Sequence, residues 1–230
     1  MSRRWRIFVN KVMIVAPHPD DETLGCGGTI LKHKLRGDEL YWLIVTNISV
    51  EEEYDKDRVM QRQEEIDTVS KEYGFANVFK LNFPTTKLDI IPKKQIIEDI
   101  SKVIDEVRPE IVFIPNRNDA HSDHKITFEA VMCSVKTFRC SFIKRILMYE
   151  TISETEFATP FQNDAFVPNS FSDISNYLDS KIAIMEIYKG EMAAHPFPRS
   201  KENIKALATF RGATGGVKYA EAFMTVKEMW

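Results

Sequence analysis

The sequence has few cysteines and no long apolar run. Three cysteines are spread over 230 residues, too few and too odd in number for the disulfide framework of a small secreted domain. No apolar stretch approaches the roughly 20 residues that a membrane-spanning helix needs. The basic start, Met-Ser-Arg-Arg-Trp-Arg, is followed by only three apolar residues, which is too short for the core of a signal peptide. We therefore expect a cytoplasmic protein without a membrane span.

A basic surplus is also missing. Lys and Arg number 31 against 34 for Asp and Glu, and the formal net charge is −3, so the sequence lacks the positive charge typical of a nucleic-acid-binding surface. Apolar residues make up 43% and charged residues 28% of the chain, ordinary values for a folded domain that exclude extensive disorder. The length favours one domain over residues 1–230, with a core at 1–150 and a C-terminal lobe at 151–230 that covers the site.

Short β-type runs alternate with helix-type periodicity along the first 150 residues, a pattern typical of a parallel sheet flanked by helices. We predict an α/β fold with a Rossmann-like, mostly parallel sheet and a C-terminal extension. Predicted strands are residues 12–16, 40–46, 78–81, 111–115 and 146–149, with a strand-like end at 219–226. Predicted helices are residues 24–35, 57–73, 93–107, 124–138, 173–189 and 200–209, while residues 151–171 are expected to form an irregular surface segment.

Two short motifs hold three of the five histidines. His-Pro-Asp-Asp-Glu (18–22) follows the first predicted strand, and His-Ser-Asp-His (121–124) follows the fourth. Ligands of open α/β sheets bind beyond the carboxyl ends of the strands, where the strand order reverses. If the strand order is 3-2-1-4-5, the two motifs face each other across one crevice.

The residue types in these motifs suit a divalent metal and hydrolysis. His18, Asp21 and one histidine of the second motif would supply three ligands and leave a coordination position open, as in catalytic zinc sites. With His124 as the third ligand, Asp20 remains as a general base and His121 as a donor to a developing oxyanion. Each motif alone also has a purely structural interpretation, because the aspartates can cap the following helix and the histidines can cap or pack.

The segment Ala-Pro-His-Pro-Asp-Asp-Glu-Thr-Leu-Gly-Cys-Gly-Gly-Thr (16–29) resembles the opening motif of the PIG-L/LmbE-type de-N-acetylases. The segment Asp-Ala-His-Ser-Asp-His (119–124) resembles the second motif of that family, and Arg-Gln-Glu-Glu (62–65) is similar to its Arg-x-x-Glu helix. C-terminal segments that resemble its signatures are Pro-Arg-Ser (198–200), Arg-Gly (211–212) and Tyr-Ala-Glu-Ala-Phe (219–223). The similarity runs in order through nearly the whole chain.

This resemblance implies a Rossmann-like, zinc-dependent hydrolase that removes the acetyl group from an N-acetylglucosamine-type compound. One Zn²⁺ per chain is expected, and another divalent ion is the alternative. His18, Asp21 and His124 match the metal ligands of the family. Asp20 matches its general base. His121 matches the residue that stabilises the tetrahedral intermediate, and either His121 or Asp20 is expected to protonate the leaving amine.

Two further residues have competing interpretations. Asp123 either orients a ligand histidine or caps the following helix. Arg62 either binds a substrate hydroxyl or carboxylate at the crevice rim, or forms an ion pair with Glu65 on its own helix. Neither alternative is decided by the sequence. His33 lies between two lysines and is expected to face solvent.

The segment after the second predicted strand departs from the family. Residues 46–53 contain no glycine, where many members carry a Gly-rich or Gly-Glu segment, so the choice of substrate stays open. Gly25, Gly27 and Gly28 do not have the Gly-x-Gly-x-x-Gly spacing of a dinucleotide site. We interpret them as positions of tight packing between helix and strand.

Two functional alternatives remain beside the deacetylase. One is another metal-dependent hydrolysis, of an amide such as a peptide or of a phosphoester, although phosphoester hydrolysis often uses two metals. The other is a non-catalytic module that binds a sugar or nucleotide. The expected partner is a small-molecule N-acetylated sugar conjugate. The Phe-rich residues 157–171 are expected either to cover the crevice or to join the subunits of a homo-oligomer.

Overall fold

The computed structural model describes residues 9–230, and the expectation for the start of the chain at 1–8 lies outside the described residues. The strands are β1 Lys11–Ala16, β2 Glu39–Asn47, β3 Asn77–Pro84, β4 Ile111–Pro115, β5 Arg145–Tyr149, β6 Ser170–Asp173 and β7 Ala220–Glu228. The helices are α1 Asp21–Arg36, α2 Lys56–Tyr73, α3 Lys93–Val107, α4 Ser122–Ser134, α5 Leu178–Met185 and α6 Lys201–Gly215. Within the described range, no helix has both the length and the apolar character that crossing a membrane requires.

These strands form one sheet with the order β3-β2-β1-β4-β5-β7-β6. Strands β1 to β5 are parallel to one another, whereas β7 is antiparallel to both β5 and β6. The strand order therefore reverses between β1 and β4. The predicted α/β class and the mostly parallel sheet are confirmed.

Helices cover both faces of the sheet. Successive side chains of a strand point to opposite faces, so Val12 and Ile14 of β1 join one apolar cluster while Met13 and Val15 join another. The first cluster includes side chains from α1, α2, α5 and α6, and the second includes side chains from α3 and α4. Burial on both faces explains why the central strands are continuous apolar runs.

Helix α1 is broken shortly after the first motif. Cys26 has φ −145° and ψ 21°, which are not helical angles. The break frees the amides of Gly28 and Thr29, and both donate to the carboxylate of Glu221 on β7 at 2.8 Å. Lys181 Nζ lies 2.6 Å from the same carboxylate. A buried ion pair from the C-terminal part of the chain therefore fixes the second half of α1.

The glycines of α1 lie where the helix meets other elements closely. A Cβ atom at Gly25 would lie 2.2 Å from the Tyr149 ring, and one at Gly28 would lie 2.6 Å from the Ile174 side chain. Real Cβ atoms do not approach other atoms so closely, so the packing excludes a side chain at either position. This geometry supports the packing interpretation of these glycines.

Several element boundaries differ from the prediction. Helix α4 ends at Ser134 rather than at 138, and the segment that follows brings Cys140 into the buried cluster that also contains α3. Helix α5 covers Leu178–Met185 rather than 173–189. Asp173, its predicted first residue, ends β6, which forms by antiparallel pairing with β7, and residues 174–177 form the turn that leads into α5. Pairing with a strand nearly 50 positions away overrides the local helical pattern.

The expectation that His33 faces solvent is wrong. The residue is only 8% exposed, and its Nδ1 lies 2.7 Å from Asp38 Oδ2. Its ring also contacts Phe113 of β4, with 6.0 Å between the ring centroids. His33 lies on the face of α1 that packs on the sheet, and Asp38 satisfies its buried nitrogen.

Candidate metal centre and catalytic cleft

The two motifs meet at the carboxyl ends of β1 and β4, where the strand order reverses. A cleft of about 310 Å³ lies there, a size that suits a small-molecule ligand. His18, Asp20, Asp21 and His121 line it, and His124 is buried beside Asp21. The structure therefore brings together the five side chains that the sequence singled out for catalysis and metal binding.

Three of these side chains place possible ligand atoms around one point. His18 Nδ1 and His124 Nε2 lie 3.3 and 3.2 Å from Asp21 Oδ2. The three atoms all lie within 4.8 Å of one another, which fits one divalent cation held by two nitrogens and one oxygen. The amide of His18 also donates to Asp21 Oδ2 at 2.8 Å, and this bond keeps the motif turn closed.

Each of the two histidines has a second carboxylate behind it. His18 Nε2 lies 3.0 Å from Asp123 Oδ2, and His124 Nδ1 lies 2.8 Å from Asp119 Oδ2. Such carboxylates fix the tautomer and the orientation of a ligand histidine. Of the two interpretations of Asp123, the geometry supports the orienting one. The side chain that caps α4 is His121, whose Nδ1 accepts the Asp123 amide hydrogen at 3.1 Å.

Asp119 was not identified as a site residue by the sequence. It is fully buried, and its Oδ1 accepts hydrogen bonds from Asn116 at 2.8 Å and Thr155 at 2.6 Å. These donors satisfy the oxygen that does not face His124. The available signal was its place at the start of the second motif, five residues before that histidine.

A second grouping, His18 with His121 and Asp123, also lies close enough to share a cation. However, the Asp123 carboxylate already accepts hydrogen bonds from the amides of Thr86 at 2.7 Å and Leu88 at 3.2 Å. With His18 Nε2 as a third partner, few of its lone pairs remain for a metal. The set of His18, Asp21 and His124 is therefore the better candidate.

The carboxylates of the site stabilise positive charge. Burial lowers the pKa of His18, but hydrogen bonds to Asp123 and Asp21 outweigh burial and raise this pKa to about 9. Burial raises the pKa of Asp21, yet the charge of His124 and its hydrogen bond hold this pKa well below the ordinary value. Carboxylates that favour protonated imidazoles also favour a divalent cation, which would bind the imidazoles in place of their protons.

Asp20 faces the same cleft but stands outside the three-residue set. Its φ of 135° is unusual for a residue other than glycine, and its amide donates to Glu22 Oε2 at 3.0 Å. Arg199 Nη1 lies 2.8 Å from Asp20 Oδ2. Burial raises the pKa of Asp20, and the positive charge of Arg199 lowers it. The negative charge of Asp21 raises it further, and the resulting pKa is about 8. A carboxylate with a pKa near neutrality suits a general base.

His121 flanks the three-residue set, with its ring centroid 4.5 Å from that of His18. Because Nδ1 accepts a hydrogen bond from the Asp123 amide, the neutral ring carries its hydrogen on Nε2. Burial and the neighbouring His18 lower the pKa of His121 to about 4. A neutral imidazole with an available N–H is suited to donate to an oxyanion.

Arg62 lines the cleft, but its donors are already engaged. Its guanidinium donates to the Pro19 carbonyl at 2.8 Å, pairs with Glu191, and lies 3.3 Å from Glu65 Oε2. The ion pair with Glu65 is therefore present, and a bond from α2 to the first motif accompanies it. Contact between Arg62 and a substrate stays a prediction.

Two cleft residues come from the irregular chain between α5 and α6. Arg199 Nη1 lies 2.8 Å from Asp20 and 2.9 Å from Glu191, and its Nε donates to Ser153 Oγ at 2.8 Å. Neither Arg199 nor Glu191 was assigned a role from the sequence. The signal that could have found Arg199 is the Pro-Arg-Ser segment at 198–200.

Comparison with known proteins identifies the family of this chain. The protein-family model PIG-L, described as GlcNAc-PI de-N-acetylase, matches residues 13–135. This range covers more than half of the chain and includes both motifs. Diacetylchitobiose deacetylase of Thermococcus kodakarensis is 26% identical over 230 residues, which cover 95% of this chain and 84% of that protein.

Two solved structures share the fold. N,N′-diacetylchitobiose deacetylase of Pyrococcus horikoshii has a TM-score of 0.76 and 22% identity, over 94% of this chain and 84% of that chain. The 4-carboxy-2-hydroxymuconate hydratase of Pseudomonas putida has a TM-score of 0.73 and 18% identity, over 96% of this chain and 98% of that chain. At such identities these structures show the fold and not the reaction. Because the family model covers both motifs and most of the sheet, the chain belongs to the PIG-L family of GlcNAc-PI de-N-acetylases.

Proposed function

We propose that the protein is a metal-dependent hydrolase that removes the acetyl group from an N-acetyl amino sugar conjugate of the N-acetylglucosamine type. The observation that carries this proposal is the cluster of His18, Asp21 and His124 in the cleft, with Asp20 beside it and bonded to Arg199. Membership of the family supports the reaction. The deacetylases named among the relatives support an acetylated sugar as substrate.

We propose Zn²⁺ as the metal, with one ion per chain. Two imidazole nitrogens and one carboxylate oxygen are ligands that zinc accepts, and three protein ligands are typical of catalytic zinc sites. When bound, such an ion polarises the acetyl carbonyl and makes a water more acidic. Asp119 and Asp123 hold the two ligand imidazoles in the required orientation.

The chain's own groups move the protons. Asp20 accepts a proton from the attacking water as the water oxygen bonds to the acetyl carbon. His121 donates a hydrogen bond from Nε2 to the carbonyl oxygen, on which negative charge develops. The carbon–nitrogen bond then breaks, acetate keeps the added oxygen, and Asp20 returns its proton to the amine of the sugar. Arg199 orients Asp20 through its bond to Oδ2.

The alternatives explain the site less well. Phosphoester hydrolysis often uses two metals, whereas within the described residues one set of ligands is well placed and the competing set shares His18 with it. A non-catalytic sugar-binding module does not need an aspartate with an unusual backbone angle, Asp20, and a neutral histidine, His121, beside a set of metal ligands. The arrangement of Asp20 and His121 therefore favours hydrolysis of an amide.

Two neighbouring substitutions test the division of roles. Asp20→Asn removes the general base, so acetate release from N-acetylglucosamine conjugates should fall by about 10²–10⁴-fold while the metal content stays unchanged. Asp21→Asn removes a ligand, so bound metal should be lost together with activity. Acetate release and elemental analysis are measured on the same samples, with and without added zinc.

The exposed Asp105 provides a matched control. It lies near the end of α3, just before β4 begins, and so at the edge of the sheet opposite the cleft. Asp105→Asn makes the same chemical change there and should alter neither metal content nor activity. Equal metal content and equal loss of activity in the Asp20 and Asp21 variants would contradict the proposed roles.

We also propose that residues 151–230 form a lobe that covers the cleft. The positions of Glu191 and Arg199 on its wall support this arrangement. The cytoplasmic location and a homo-oligomer that uses the Phe-rich segment stay predictions.

A further inference from the structure

A second cavity of about 290 Å³ adjoins the cleft. The two cavities share Tyr54, Thr85 and Thr86 as walls. Hydrolysis of an acetamido group occupies only the part of the cleft near the metal set, so the adjoining space is available to whatever the sugar is attached to. We propose that the second cavity binds a neutral sugar unit linked to the N-acetylated sugar, with Tyr54 as its binding platform. This inference rests on the proposed function.

The walls of the second cavity are two loops that are held together. One loop follows β2 and carries Glu52 and Tyr54, and the other follows β3 and carries Thr85 and Lys87. Lys87 forms an ion pair with Glu52 across the gap. The amide of Thr85 donates to the Asn47 carbonyl at 3.4 Å. These contacts connect the two loops across the second cavity.

The β3 loop is also tied to the metal site. The amide of Thr86 donates to Asp123 Oδ2 at 2.7 Å, and the same oxygen lies 3.0 Å from His18 Nε2. Thr86 has a φ of 60°, which is rare for a β-branched residue. One carboxylate therefore positions both a ligand histidine and a wall of the second cavity. A ligand that fills both cavities is consequently held in a fixed position relative to the metal set.

Tyr54 has the properties of a sugar platform. It is 36% exposed, and its hydroxyl makes no hydrogen bond with the described part of the chain. An exposed tyrosine offers an apolar ring face and a polar group at its edge. The C–H face of a pyranose ring packs on such a surface, while the sugar hydroxyls bond to nearby polar groups such as Thr85 and Thr86.

The charges of both cavities favour a neutral unit over an anionic one. Among the described residues, the Arg and Lys side chains that line them are those of Arg58, Arg62, Arg199 and Lys87. The three arginines pair with Glu191, and Lys87 pairs with Glu52. Glu53 and Glu154 add further negative charge to the walls. A phosphate or carboxylate would therefore meet engaged cations and nearby carboxylates.

The test compares three substrates and two variants. Acetate release is measured with N-acetylglucosamine, N,N′-diacetylchitobiose and N-acetylglucosamine 1-phosphate, for the wild type, Tyr54→Ala and Tyr54→Phe. The wild type should prefer the disaccharide, and Tyr54→Ala should reduce that preference by about tenfold, equal to about 1.4 kcal/mol, through a higher KM. Tyr54→Phe keeps the ring and should retain most of the preference for the disaccharide. Phe138→Ala, at an exposed aromatic residue that lines neither cavity, should have no effect.

Binding of chitobiose and glucosamine, measured by calorimetry, separates the two proposals. If no substrate yields acetate but Tyr54→Ala still abolishes a preference for chitobiose, the proposed function fails and the sugar subsite stands. If acetate is released and the Tyr54 variants affect all substrates equally, the subsite is wrong and the proposed function stands. A wild-type preference for the 1-phosphate over the disaccharide would also overturn the subsite.

Discussion

The two sides of the cleft are held in place by different means. On the ligand side, His18 and His124 each lie between two carboxylates. The side chains of His124 and Asp21 are 1% and 4% exposed, while His18, which faces the cleft, is 19% exposed. On the opposite side, Arg199 and Glu191 belong to irregular chain between α5 and α6. Their side chains are 19% and 23% exposed, and each pairs with more than one partner.

This difference predicts different responses to mutation. Charges in a dry site interact strongly, and a buried charge that loses its partner is costly. Partly exposed ion pairs are screened by water and contribute little. We therefore expect large effects from the loss of one group on the ligand side. The Glu191 network should tolerate the loss of one member.

Among the residues that position the ligands and the base, the largest effect is expected for Asp119→Asn. The substitution keeps the size of the side chain but removes the negative charge behind His124, so the imidazole becomes a weaker and less well-oriented ligand. Loss of such a partner typically weakens metal binding by about 10–100-fold. Competition between the protein and a chelator of known affinity measures the change.

The parallel variant for this experiment is Asp123→Asn, which makes the same change behind His18. A comparable loss of metal affinity in both variants would extend the argument to the whole ligand side. If Asp119→Asn binds metal as tightly as the wild type, the comparison between the two sides is wrong.

The sequence predicted the ligand side because its residues lie at the ends of neighbouring parallel strands. His18 follows β1 and His124 follows β4 within a few residues, and the sheet order 3-2-1-4-5 brings those ends together. The spacing within each motif then assigns the chemistry. Asp119 lies in the same segment, but a carboxylate behind a histidine has no spacing of its own that marks it.

The other side could not be predicted in the same way. The contact between Arg199 and Asp20 joins residues 179 positions apart, and it depends on irregular chain whose path has no periodic signal. Strand β6 has a similar origin, since it exists through pairing with β7. Local patterns determine the core strands and helices, while long-range contacts determine these later elements.

An intermediate effect is expected for Arg199→Ala. The side chain holds one oxygen of Asp20 at 2.8 Å, so its removal should let the base move and lower kcat by about tenfold, below the roughly 10²-fold that a misplaced catalytic group can cost. Metal content should not change, because Arg199 contacts none of the three ligands directly. Acetate-release kinetics, with kcat and KM separated, measure the effect.

Arg199→Lys provides the matched comparison for this position. Lysine keeps the positive charge but cannot reproduce the planar set of bonds to Asp20, Glu191 and Ser153. It should therefore recover only part of kcat. Loss of metal in either variant would mean that Arg199 supports the ligand side as well.

The smallest effect is expected for Arg58→Gln. The Arg58 side chain is 30% exposed and lies 3.1 Å from Glu191 Oε1, but Glu191 keeps Arg62 and Arg199 as partners. The free energy of unfolding should fall by less than about 1 kcal/mol, as is usual for exposed pairs. Thermal unfolding and acetate release measure the change, with Arg62→Gln as the comparison.

Arg62→Gln should lower the free energy of unfolding by more than Arg58→Gln does, because Arg62 also holds the Pro19 carbonyl of the motif turn. If Arg58→Gln lowers kcat as much as Arg199→Ala does, the Glu191 network acts as one unit and is not tolerant of single losses.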